Sequence, residues 1–175
     1  MTHIEPLGIG DVRDPALQDL VERCERAGVP GSLFALILAR APGHARAVLD
    51  AMLLSHTSGN VDHRLKEIIR VQLARRAGDP YFSVLRSALA VRDGLEETAV
   101  KAGCDDYERS ALFTEKEKWA LRYADRMYLN PESVDAAFYA EMKKHHSEAE
   151  IMELGAFVAL WYGMQVFMRT LGRRT

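Results

Sequence analysis

The sequence predicts an all-α protein, on three grounds. Apolar residues recur at the three- and four-residue spacing of a helix face, as in Val61, Leu65, Ile68, Ile69 and Leu73. Helix starts are written three times as an acceptor side chain followed by proline, at Asp14-Pro15, Asp79-Pro80 and Asn130-Pro131. The acceptor caps free backbone N–H groups, and the fixed φ of proline suits a first turn. No run alternates with period two for long enough to make a strand.

The elements follow in order. Residues 1–14 precede the first helix start and are expected to form an extended arm. A helix over 15–27 opens at Asp14-Pro15 and stops at Gly28. Shorter and longer apolar-periodic segments predict helices at 32–40 and 43–56. A helix over 62–77 ends at Gly78, and one over 80–93 runs from Asp79-Pro80 to Gly94. A further helix over 95–102 stops at Gly103. The capping boxes Thr114-x-x-Glu117 and Ser147-x-x-Glu150 satisfy N–H groups reciprocally and open helices at 115–128 and 148–171. Asn130-Pro131 opens another over 131–145. No linker or shift in composition cuts the chain, so residues 15–175 read as a single domain.

A chain of 175 residues with 48% hydrophobic content is long enough to bury a core without metals or disulfides. Its net charge of −2 and pI near 6.3 give it no general attraction for nucleic acid or an anionic membrane. Cys24 and Cys104 sit in no C-x-x-C or metal-like spacing, which fits a reducing cytoplasm. The N-terminus lacks a basic region followed by an apolar run, and the longest apolar stretch, Leu154 to Met168, reads as too short to span a bilayer. No cofactor motif is present. His63 and Glu67 share a helix face, and His56 and Asp79 could join them, but no three-ligand spacing occurs and no metal is expected.

Two segments carry most of the chemistry. On 62–77, His63, Glu67 and Arg70 stand opposite the apolar stripe. On 80–93, Phe82, Leu85 and Leu89 make one apolar stripe and Tyr81, Val84, Ala88 and Val91 another, so that helix is expected to be central. Arg86 lies within it. A buried guanidinium is costly unless paired, so its partner is expected to be Glu67, Asp79, Asp93 or the carboxylate of a ligand. Glu67 reads either as a general acid or base or as a helix-face partner of Arg70. Asp79 reads as an N-cap, with room to couple to Glu67. Tyr81 either hydrogen-bonds a ligand or packs. His145 and His146 read as a helix end, and Gln165 as a minor pocket residue.

The stretch RLKEIIRVQLARRAGDPYFSVLR resembles the carboxymuconolactone decarboxylase family, which includes the alkylhydroperoxidase D-like proteins. Redox members carry R-x-E-L-[IV] on one helix, then a short turn, then C-x-x-C and a histidine or arginine. Here Glu67 matches the family glutamate, Asp79 and Phe82 stand at the two cysteine positions with Tyr81 between them, and Arg86 takes the last position. The resemblance runs over roughly 43 to 171 in helix order and turn placement. It implies a helical bundle of the alkylhydroperoxidase D-like type and, since the thiol pair is absent, chemistry close to that of the thiol-free members. The implied function is acid–base catalysis on a small carboxylated or lactone metabolite by decarboxylation, isomerisation or hydrolysis, as in aromatic-compound breakdown. Glu67, Asp79 and Tyr81 are the implied catalytic residues, and Arg86, His63 and Phe82 the implied substrate contacts. Relatives assemble as homo-oligomers, so a trimer or hexamer is expected. The alternative is a degenerate, non-catalytic scaffold, in which Arg86 pairs internally and no pocket remains.

Overall fold

The computed structural model of the chain describes residues 3–172, and every regular element in that range is helical. The ends of the expected arm and domain, residues 1–2 and 173–175, lie outside the described residues. The arm is not wholly extended: a 3-10 turn occupies Ile9–Asp11, and Leu7 N–H donates to the Leu36 carbonyl. The helices are α1 (Pro15–Arg26), α2 (Ser32–Leu38), α3 (Pro42–Thr57), α4 (His63–Arg76), α5 (Ala88–Arg92), α6 (Glu97–Asp105), α7 (Glu115–Leu129), α8 (Ala136–Met142) and α9 (Glu148–Thr170). Asp14 accepts from Ala16 and Leu17 N–H, and both predicted capping boxes form.

The central helix is α4, not the segment over 80–93. Every residue from Leu65 to Ala74 is buried, including Lys66, Glu67, Arg70 and Gln72. Around α4 pack α3, α6, α7 and α9. Its approach to α6 depends on Gly103, where a Cβ would run into Ile68 Cγ2. One apolar core extends from Val12 to Leu171.

Two predicted helices are divided. The one over 131–145 becomes a 3-10 turn at Pro131–Ser133 and then α8, because the chain leaves helical geometry at Val134 and Asp135 caps afresh by accepting from Phe138 N–H. His145 and His146 therefore lie beyond the end of α8, with His145 stacked on Trp119 and His146 buried. The one over 80–93 shrinks to a turn at 80–84, an irregular stretch at 85–87, and α5. Val84 and Val91 are exposed, which a central helix would not allow.

α9 has 23 residues, so length and composition alone would let it cross a bilayer, contrary to the shorter span read from the sequence. Trp161 and Gln165 on its inner face have zero exposure and pack into the core.

Candidate functional site

Side chains from α4 account for the break in the 80–93 segment. Arg70 Nε and Nη2 donate to Glu67 Oε2 and Oε1 at 2.8 and 2.7 Å. The same guanidinium donates to the Phe82 carbonyl at 2.8 Å and the Leu85 carbonyl at 2.6 Å. Glu67 Oε1 accepts from Ser87 N–H at 2.8 Å. In a continuous helix these backbone groups would belong to the i to i−4 ladder. Here a buried ion pair takes them instead, and the chain between 82 and 87 bends around it. Both side chains have zero exposure. Glu67 and Arg70 are thus a bidentate, desolvated pair, far from the exposed helix-face contact the i, i+3 spacing suggests. Gln165 Nε2 anchors the Arg70 carbonyl at 3.0 Å, and the guanidinium lies 5.6 Å from the centre of the Trp161 ring.

Two histidines extend this cluster. His56, buried on α3, places Nε2 3.4 Å from Glu67 Oε2 without hydrogen-bond alignment. Burial, then the nearby His63, Arg70 and Lys66, hold its pKa well below the ordinary 6.5, so the ring is neutral and the contact is not an ion pair. His63 stands edge-on to His56 at 4.5 Å between ring centres. Its Nε2 lies 2.9 Å from Ser87 Oγ. Burial lowers the His63 pKa against the opposing pull of Glu67, leaving a neutral, half-buried imidazole. Ser87 has zero exposure; its N–H goes to Glu67, and its hydroxyl also caps α5 by accepting from Ala90 N–H at 3.3 Å. The structure therefore joins Glu67, Arg70, His56, His63 and Ser87 into one connected set.

The other predicted site residues are placed as follows. Asp79 Oδ1 caps the turn by accepting from Tyr81 N–H at 2.7 Å and Phe82 N–H at 3.0 Å, while the buried Oδ2 has no hydrogen-bond partner among the described residues. The Tyr81 hydroxyl accepts from Leu33 N–H at 3.3 Å. Phe82 is fully buried, with its ring edge-on to Trp161 at 5.7 Å and to Phe34 at 6.4 Å. Gly31, at φ 120°, makes room for it: a Cβ there would stand 3.1 Å from the ring.

Arg86 turns away from this cluster. It pairs with Glu97 on α6 at 2.6 and 3.1 Å and donates to the carbonyls of Ser83 and Leu85. The Glu97 carboxylate is 68% exposed and the Arg86 side chain 18%, so this is a surface pair. Its hydrogen bond with Arg86 holds the Glu97 carboxyl below its ordinary range. None of the three protein carboxylates expected from the sequence is the partner. Ser87 was not singled out from the sequence, and His56 was read only as a possible companion of His63, Glu67 and Asp79 at a metal. Arg70 was visible only as a neighbour of Glu67, and Ser87 carried the weak signal of a serine before Ala88.

Thiol chemistry is also constrained. Cys24 on α1 and Cys104 on α6 are buried and unpaired, and burial pushes both thiols up to about 11. Among the described residues no group of three His, Cys, Asp or Glu side chains is arranged to hold a metal. Two surface depressions of about 230 and 290 Å³ flank the start of α4 and share Asp62, Leu65 and Glu117; neither is lined by His63, Glu67, Arg86 or Ser87.

The architecture is that of the alkylhydroperoxidase D-like proteins. The debrominase Bmp8 in its apo form superposes with a TM-score of 0.82 at 20% identity, over 98% of this chain and 90% of that one. A cysteine-to-alanine variant of Bmp8 in complex with 2,3,4-tribromopyrrole gives 0.84 at 21% identity, over 99% and 91%. The alkylhydroperoxidase AhpD core of an uncharacterised peroxidase-related protein from Ralstonia eutropha JMP134 gives 0.81 at 18% identity, over 99% and 91%. At these identities the likeness shows the fold. No protein-family model matches the sequence, and no curated protein matches it either.

Proposed function

We propose that this chain is a thiol-independent enzyme of the alkylhydroperoxidase D-like fold that opens a small lactone or ester, with His63 as general base and Ser87 as the group it activates. The observation that carries this reading is the 2.9 Å contact between neutral His63 Nε2 and Ser87 Oγ. A neutral imidazole within hydrogen-bond reach of a hydroxyl is the arrangement needed for nucleophilic attack on a carbonyl. In that step Ser87 Oγ bonds to the carbonyl carbon, its proton passes to His63, and the ring oxygen leaves with that proton. Water then hydrolyses the acyl-serine by the same route. Glu67 acts as a positioning residue, since it grips the Ser87 backbone, while Arg70 fixes Glu67 in turn. Arg86 remains the candidate anchor for a substrate carboxylate, because its present partner Glu97 is exposed and an exposed pair is exchanged at little cost. That the fold hosts an enzyme without peroxidase as its name is supported by the debrominase.

Ester and lactone turnover, measured on the wild type, His63→Gln and Ser87→Ala, tests the proposal. The expected result is turnover that falls at least about 100-fold in either variant while both stay folded. An acyl adduct on Ser87, found by mass spectrometry with a slow ester, would locate the nucleophile. Equal turnover in all three proteins sinks the reading, as does debromination of 2,3,4-tribromopyrrole with no esterase activity.

One observation favours a second reading, the non-catalytic subunit. Ser87 and Phe82 both have zero exposure, and Arg86 already pairs within the chain. That reading expects no turnover by the wild type and no thermal shift with lactones or carboxylates.

A further inference from the structure

The two depressions beside the start of α4 meet at Asp62, Leu65 and Glu117. The larger, of about 290 Å³, has Asp62, Thr114, Lys116, Glu117, His146 and Glu150 in its wall and holds roughly ten water-sized groups. His146 is the informative wall residue. Its side chain is 1% exposed. Nε2 lies 2.8 Å from the Lys116 carbonyl, which can only accept, so Nε2 carries the ring proton. Burial lowers the pKa of the ring and keeps it neutral. Nδ1 is then a lone-pair acceptor, and it is buried with no hydrogen-bond partner among the described residues.

The neighbouring carboxylate cannot serve Nδ1. Glu150 Oε2 stands 4.0 Å from it and also only accepts. Of the roughly four lone-pair sites on that carboxylate, the Ser147 N–H, the Ser147 hydroxyl and the Lys116 ammonium use three. Two acceptors at this separation are joined by one group that donates twice, since each bond spans about 2.7–3.2 Å. Charge selects a cation for that place. Asp62, Glu117 and Glu150 stand in the wall against Lys116. Asp62 Oδ1 and Glu117 Oε2 cap their helices, and the second oxygen of each accepts no hydrogen bond among the described residues. The adjoining depression, of about 230 Å³, is floored by the buried apolar side chains of Leu65, Ile68, Leu95 and Phe113.

We propose that this cleft binds a small primary amine with an aliphatic or aryl body. The ammonium sits between His146 Nδ1 and the Glu150 carboxylate, and the hydrocarbon passes Leu65 onto Ile68, Leu95 and Phe113. An ammonium has three N–H donors, so the third is left for the free oxygen of Glu117 or Asp62. The site is separate from the histidine–serine contact and does not depend on it.

Titration calorimetry of the full chain with hexylamine at pH 7.5, with the nitrogen chemical shift of His146 Nδ1 followed over the same titration, tests this. The expected result is saturable binding that weakens with added salt, and an Nδ1 resonance that moves as its lone pair gains a donor. Hexanol, with the same body and no charge, should not saturate at the same concentrations, and neither should hexanoate. Asp62→Asn and Glu117→Gln keep their helix caps and remove only charge; together they should weaken hexylamine binding roughly fivefold. Lys116→Met removes the competing cation and should tighten it. The absence of saturable binding overturns the proposal, as does hexanol binding as tightly as hexylamine. So does an Nδ1 resonance that stays still while the amine binds, which would leave that lone pair to water.

Discussion

Replacing Arg70 by methionine keeps the bulk of the side chain and removes its charge. Glu67, with zero exposure, then loses both hydrogen bonds from Arg70 and retains only the one from Ser87 N–H. Stranding one member of a buried pair costs about 3–5 kcal/mol. The carbonyls of Phe82 and Leu85 lose their donor from Arg70 as well, at about 1 kcal/mol each where no other donor replaces it. The sum, roughly 5 kcal/mol, is a large fraction of the ~5–15 kcal/mol that holds a domain folded. At about 2–4 °C per kcal/mol for a chain of this size, Arg70→Met should melt roughly 10–20 °C below the wild type. Arg86→Ala removes an exposed pair worth about 0–1 kcal/mol and should melt within roughly 4 °C of the wild type. Thermal unfolding followed by circular dichroism at pH 7.5 gives both numbers. The double variant Glu67→Leu/Arg70→Met should recover part of the loss, because it leaves no stranded charge. A mild Arg70→Met, or an Arg86→Ala that costs as much, would refute the assignment of Arg70 as the buried cation that organises the core.

The remaining predictions concern pH, packing and thiols. His56, His63 and His146 all have pKa values lowered by burial, so the unfolded chain binds protons more readily than the folded one near their ordinary 6.5. Stability should be full above about pH 6.5 and fall as pH drops below it, and His56→Phe should flatten the fall in a urea series at pH 7.5, 6.5 and 5.5. Glu150 is held down at about 2 by Lys116 and Ser147 despite the opposing effect of burial, so its share of stability is lost only from about pH 4.5 downward. Phe82→Ala should cost about 3–5 kcal/mol, because the ring fills a fully buried site against Trp161 and Phe34. Iodoacetamide at pH 8 should label neither Cys24 nor Cys104 in the folded chain and both in urea, with labelling of the native protein by mass spectrometry as the contrary result.

Local chemistry was legible in the sequence wherever a few adjacent residues decide it. Asp14-Pro15 and the boxes at Thr114 and Ser147 start helices because side chain and acceptor sit within one turn. The helical class followed from such signals and from apolar spacing, and the alkylhydroperoxidase D-like outline from the resemblance of RLKEIIRVQLARRAGDPYFSVLR to that family. What the sequence could not decide was which of two apolar segments is central, and where each arginine finds its acid. Periodicity made 80–93 a buried helix around Arg86. The fold instead buries α4 on all sides and turns Arg70 onto the carbonyls of Phe82 and Leu85. Those competing hydrogen bonds are twelve and fifteen residues apart in sequence and exist only once α4 and the following turn have packed. Glu97 reaches Arg86 for a related reason, since the bend at 85–87 brings α6 alongside. His63 and Ser87, twenty-four residues apart, meet through that bend as well. The sequence by itself set the helical class and the caps at Asp14, Thr114 and Ser147; the breaks at 85–87 and 134–135, the pairing of buried charges and with it the histidine–serine contact were decided by tertiary packing, because a desolvated ion takes whichever backbone groups the fold brings within reach.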